Sequence, residues 1–236
     1  AGFKNLILIT DRGYESMKNL EACIAKGQKI ISSVKVSQGE VLKLIKSLDM
    51  SRGFPKGMSV APKEKLYYLQ RDAEYAVSGN GDNVIGAKKY KINLYFNPFK
   101  RADDQISIEQ AADEQSRLMD EIIASKKPVA DTDDIVKQYN LLNIKFKKNG
   151  SVASYTVNEE KKDAMLQTAG FFASKTVGLD FTPLEAMDNY GMRDEQEKCF
   201  GLQKGPLGQD RLRTWSEAAK HGRMFICFIG LILASY

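Results

Sequence analysis

Residues Leu6 to Thr10 read LILIT, and this short run constrains the fold more than any other part of the chain. A strand that is apolar at every position is expected to be buried on both faces, in the middle of a sheet with helices on each side. It ends in Asp11-Arg12-Gly13-Tyr14, a turn signal. Ser16 is placed to cap a helix running to about Lys26, and Gly27 to stop it. Lys29 to Lys35, KIISSVK, reads as a second strand. A strand-helix-strand opening implies parallel pairing, so the expected class is α/β.

Residues 36–168 read differently. Lys65 to Gln70 and Lys88 to Phe96 are strand candidates. A hairpin is expected over Asn143 to Val157, turning at Asn149-Gly150. A helix is expected over Ile106 to Ala124, with Asp104 or Ser107 near its start. Lys88, Lys89, Lys91, Lys100 and Arg101 lie among Tyr90, Tyr95, Phe96 and Phe99. Such a run can track a phosphate backbone while its aromatics stack on bases, or it can be a strand with alternating exposed lysines and buried rings. The second reading is preferred. Asp103 to Asp134 is strongly acidic and reads as a solvated helix and loop. Together these features describe an inserted, β-rich (α+β) subdomain.

From Gly170 the first style returns. Phe171 to Thr176 is strand-like. Thr182-Pro183 fits an N-cap followed by proline at the first helical position. The helix it opens is expected to reach about Lys204, before Gly205-Pro206. A last helix, about Thr214 to Ala234, carries the apolar stretch Met224 to Tyr236. That stretch is too short to span a bilayer and reads as a buried helix. The expected organisation is a core from 1–35 and 169–236, with 36–168 inserted.

The composition narrows the chemistry. Of 236 residues, one is histidine, His221, and three are cysteine. Cys23, Cys199 and Cys227 form no CxxC pair, so neither a zinc site nor a disulfide framework is expected. Histidine-based catalysis would rest on a single residue. The net charge of +5 is compatible with a polyanionic partner.

The informative segment is the helix after Pro183. With Tyr190 at 0°, Arg193 falls at about 300°, Lys204 at about 320° and Glu197 at about 340°, one narrow stripe. Leu184, Met192, Cys199 and Leu202 fall broadly opposite. Two readings stand. Arg193 and Glu197 are an i,i+4 pair that suits any solvated helix face. The same stripe also gathers a carboxylate, two cations and a phenol on one side of the helix. Asp11 is likewise either a turn residue or a ligand-facing acid at the carboxyl end of a central strand.

These residues resemble a family pattern. The stretch YGMRDEQEKCFGLQK contains Tyr190, Arg193, Glu197 and Lys204, the Tyr-x2-Arg-x3-Glu-x6-Lys signature of one group of insertion-sequence DDE transposases. The strand ending TDRGY resembles the family's second acidic motif, and HGRMFICFIGLIL resembles the apolar helix that follows. The resemblance implies an RNase H-like core and cut-and-paste DNA transposition. Asp11 and Glu197 would be catalytic carboxylates holding magnesium (or manganese), since two-cation phosphoryl transfer needs hard oxygen ligands. Tyr190, Arg193 and Lys204 would bind DNA at the transposon end, Arg193 in bidentate fashion and Lys204 as a point charge. The implied setting is prokaryotic and cytoplasmic, near the nucleoid. The implied partners are DNA and a second copy or an intact transposase, with no membrane.

The pattern is incomplete. The family's first Asp lies upstream of the strand that ends at Asp11, and this sequence has no counterpart. The expectation is the C-terminal part of a transposase, inactive or nearly so alone. The alternatives are a non-catalytic DNA-binding or interfering remnant, or a stand-alone metal-dependent nuclease.

Overall fold

A computed structural model describes residues 6–11, 27–37, 39–78, 84–129, 131–193, 198, 201 and 215–234. It is a mixed α/β structure. Eight strands and six helices occur among the described residues. The strands are β1 (Ile7–Thr10), β2 (Lys29–Val34), β3 (Ser59–Ala61), β4 (Leu66–Ser78), β5 (Val84–Phe96), β6 (Leu142–Phe146), β7 (Val152–Val157) and β8 (Phe171–Val177). The helices, in chain order, are α1 (Gly39–Lys46), α2 (Pro98–Ser125), α3 (Thr132–Gln138), α4 (Glu159–Thr168), α5 (Pro183–Gly191) and α6 (Glu217–Ala234).

Six strands form one sheet in the order β1-β2-β8-β5-β4-β3. β1 and β2 are parallel, as the opening pattern requires, and every other pairing is antiparallel. Strands β3, β4 and β5 come from the 36–168 stretch, yet they share this sheet with β1, β2 and β8. β6 and β7 make a separate hairpin, whose Gly150 has φ +78, a left-handed value that favours glycine at the turn. The hairpin packs on α2 and α3 around Met119, Tyr139, Leu142 and Val152.

The sheet's main core lies on the α1 side. Ile30, Val34, Ile92, Leu94, Phe96, Phe171 and Ala173 point there, and Val41 and Ile45 of α1 close it. Leu94 and Phe96 are 0% exposed. Gly170 links α4 to β8 and sits against the start of α2, at a point with no room for a side chain. A Cβ there would lie 2.6 Å from Cβ of Arg101 and 2.9 Å from the Asn97 carbonyl.

Three expectations need correction. LILIT is half-buried rather than fully buried, because β1 is the outermost strand and only β2 pairs with it among the described residues. α2 starts at Pro98, not near Ile106: Asn97 caps it by accepting the Phe99 and Lys100 N–H groups, and Pro98 follows at the first position. α6 is not a buried helix. Phe225, Ile226 and Phe228 are exposed while Cys227 is buried. Apolar residues ring this helix, so any one docking face leaves the others outside. Among the described residues, no helix is long and apolar enough to cross a membrane.

The basic-aromatic run lies on a strand buried on both faces, with Tyr90 and Phe96 on the α1 side and Tyr95 on the other, rather than alternating exposed lysines with buried rings. Tyr90, Tyr95 and Phe96 are buried. Lys91 holds Asp180 at 2.6 Å, which raises the ammonium and lowers the carboxyl from their ordinary values. The acidic helix is a solvated face, with Arg117 bridging Glu114 and Glu121. The helix expected between Ser16 and Lys26 lies outside the described residues.

Candidate functional site

Alternation along β1 decides which way Asp11 faces. Leu8 packs into the α1-side core, so Ile9 and then Asp11 belong to the opposite face. α5 covers that face, resting on β2, β4, β5 and β8. Its start is built as the sequence indicates. Thr182 and Glu185 form a capping box, and Pro183 follows the cap. The Glu185 carboxyl is held below the ordinary glutamate range, first by the Thr182 backbone N–H and then by its hydroxyl. Leu184 and Met187 pack against Ala61, Leu66 and Tyr95, which sets the face that α5 turns to the sheet.

One turn further on, α5 presents Tyr190, with Arg193 just past its end. Arg193 Nη1 donates to Asp11 Oδ1 at 3.0 Å and to Tyr190 Oη at 2.7 Å. Tyr190 Oη donates to Asp11 Oδ1 at 3.5 Å, at the outer limit for such a bond. The Arg193 guanidinium also lies 5.0 Å from the Tyr190 ring centre, within cation–π range. Tyr190 and Asp11 are 179 positions apart in the chain. The cluster thus brings together three of the five residues singled out from the sequence. Glu197 and Lys204 lie outside the described residues.

The helix itself differs from expectation. α5 closes at Gly191 with Met192 as its C-cap, rather than running unbroken to Lys204. Arg193, Lys198 and Gly201 are again helical. Met192, placed on the apolar side by its helical angle, is 60% exposed.

Asp11, Tyr190 and Arg193 line one side of a cavity of about 390 Å³. Ser33, Ser174 and Tyr95 line its sheet side. Sequence reading named Tyr95 only within the basic-aromatic run and missed the two serines. The available signal was serine at interior strand positions, in KIISSVK and FFASKT. Burial pushes the Tyr95 phenol well above its ordinary value, opposed in part by a hydrogen bond with Ser174. Tyr95 is stacked on Phe172 at 4.9 Å. His221 is exposed on α6 and does not line the cavity.

The ion pair does little for stability. The Asp11 side chain is 59% exposed, and such pairs contribute at most about 1 kcal/mol. Its importance is geometric: a planar guanidinium, suited to phosphate or carboxylate oxygens, is held beside a phenol at a strand end.

Asp11 is the one carboxylate lining the cavity among the described residues, and Arg193 holds its Oδ1. No group of three or more His, Cys, Asp or Glu side chains placed to hold a metal ion occurs among the described residues. These residues alone do not make a two-cation site. No protein-family model, curated protein or solved structure matches the chain.

Proposed function

We propose that the cavity is the DNA-end site of a DDE-type transposase core of RNase H-like kind, and that this chain alone binds DNA without cutting it. The observation that carries the reading is the meeting of Asp11 with Tyr190 and Arg193 at the carboxyl end of β1. These are the acid and two of the signature residues that the family resemblance singles out. In this reading Arg193 exchanges its contact with Asp11 for a phosphate oxygen, and Tyr190 stacks on or hydrogen-bonds the terminal nucleotide. The exchange costs little on the Asp11 side, because that carboxylate is exposed and water can replace the guanidinium there. Magnesium chemistry would need carboxylates beyond those described, so no cleavage step is assigned to these residues.

The second reading is a non-catalytic remnant that binds DNA or interferes with an intact transposase. The hold of Arg193 on Asp11 favours it, since a cation would have to displace that guanidinium. A stand-alone nuclease has no support from the described carboxylates.

Two measurements test the proposal. Binding to terminal-repeat DNA, followed by fluorescence anisotropy, should weaken as salt rises, by counterion release. Arg193→Gln should weaken it about tenfold, as expected for loss of a charge-assisted contact. Incubation of the same DNA with Mg²⁺ or Mn²⁺ should give no cleavage above an Asp11→Ala control. Absence of Arg193-dependent binding would sink the DNA reading, and clear Asp11-dependent cleavage would sink the claim of inactivity.

A further inference from the structure

A row of polar side chains crosses the α5 face of the sheet. In register, Gln70 pairs with Asn93, Asn93 with Ser174, and Ser174 with Ser33. One position beyond the Thr10–Ser32 pair, Asp11 falls at the end of the same row. Asn93 is 0% exposed and Ser174 5%. Burying an amide is unfavourable unless its groups are paired, and here both ends are paired. Asn93 Oδ1 accepts from Gln70 Nε2 at 2.7 Å, and Asn93 Nδ2 donates to Ser174 Oγ at 3.3 Å.

One end of this network and a neighbour of it hold the start of α5. Gln70 Nε2 also donates to the Phe181 carbonyl at 2.9 Å. In the neighbouring row, Tyr95 Oη donates to the Pro183 carbonyl at 2.6 Å. The two carbonyls that flank the N-cap Thr182 are therefore held by side chains from two adjacent strands. An apolar row would cover the helix equally well but would set no angle, since apolar contact is non-directional while hydrogen bonds are directional. Tyr190 lies about 10 Å along the axis from Pro183, at 1.5 Å rise per residue. A tilt of about 10° at the start would move it by about 2 Å, enough to break the contacts with Asp11.

We infer that Gln70, Asn93, Ser174 and Tyr95 form a positioning device: they pin the carbonyls of Phe181 and Pro183 and so set the direction of α5 that brings Tyr190 and Arg193 to Asp11. Its functional consequence rests on the proposed DNA site, whereas its geometric consequence does not.

The test separates the two. The Nη resonances of Arg193 in ¹⁵N-arginine-labelled protein report whether its guanidinium is held, and Arg193→Lys assigns them. The wild type should show hindered, separate Nη signals. Gln70→Leu/Tyr95→Phe should collapse them to a rotation-averaged signal. Ile108→Val, a distant core variant with a comparable fall in melting temperature, should leave them unchanged. DNA affinity should fall in the double variant by about the same factor as in Arg193→Gln, with no further loss when all three changes are combined. Persistence of the hindered signals in the double variant overturns the inference, whatever DNA binding does. Collapse of the signals with unchanged DNA affinity upholds the positioning role and overturns the DNA reading instead. If the double variant fails to fold, Tyr95→Phe alone decides, because it keeps the ring that stacks on Phe172: a broadened Arg193 signal supports the inference and an unaltered one overturns it.

Discussion

On the α1 face of the sheet, Ile30, Val34, Ile92, Leu94 and Phe96 meet the apolar side of α1. On the α5 face, Ser33, Ser174, Asn93 and Gln70 cross the same strands one position out of phase. The strands are shared, so backbone pairing is identical for both, and only the side chains differ. The α1 face offers area removed from water, which stabilises but tolerates small shifts of what covers it. The α5 face offers directional bonds, which add less stability but specify an orientation. The candidate site lies on the second face. The comparison indicates why: a site needs its groups aimed, and a helix held by two carbonyls is aimed better than one held by contact alone.

Leu94 gives the strongest way to break this contrast. Leu94→Ala should cost about 3 kcal/mol in urea unfolding, because it leaves a cavity in a fully buried core. A loss under about 1 kcal/mol would show that the α1 face is not the main source of stability. Thr182→Ala should cost about 1 kcal/mol, the usual price of an N-cap, and should also loosen the α5 start, seen as faster amide exchange in that helix. Arg193→Gln should change stability by well under about 1 kcal/mol, since its partner is exposed, while weakening DNA binding about tenfold. A large stability loss there would mean that the cluster serves the fold and not a ligand.

The smallest expected effect concerns pH. The Glu185 carboxyl is lowered from its ordinary value of 4.5. A depressed carboxyl adds stability that is present above 4.5 and is lost as pH falls through the lowered folded value. The melting temperatures of wild type and Glu185→Gln should therefore differ at neutral pH and converge in acid. Parallel curves across that range would show that the capping box contributes nothing to α5 in solution.

Much of this was legible locally. Asn149-Gly150 marked the β6–β7 hairpin, Thr182-Pro183 the start of α5, and the opening strands their parallel pairing. Asn97-Pro98 carried the same signature as Thr182-Pro183, and the start of α2 could have been read from it. The spacing of Tyr190 and Arg193 placed them on one helix face, and they meet. Less legible was anything that depends on a neighbour distant in sequence. LILIT is apolar enough for a central strand, but only the strand order shows it at the edge. The apolar ring of α6 says that something should cover it, not what lies beside it.

The sequence by itself determined the elements: caps, turns and side-chain periods act within a few residues, and their free energies are decided by local backbone geometry. Only the tertiary structure decided that Asp11 meets Arg193, that Ser33, Ser174, Asn93 and Gln70 fall into one row, and that this row holds the start of α5. Those relations depend on strand order and register across chain separations such as the 81 positions between Asn93 and Ser174. No local propensity reports them, because each partner is satisfied only once the whole sheet has formed.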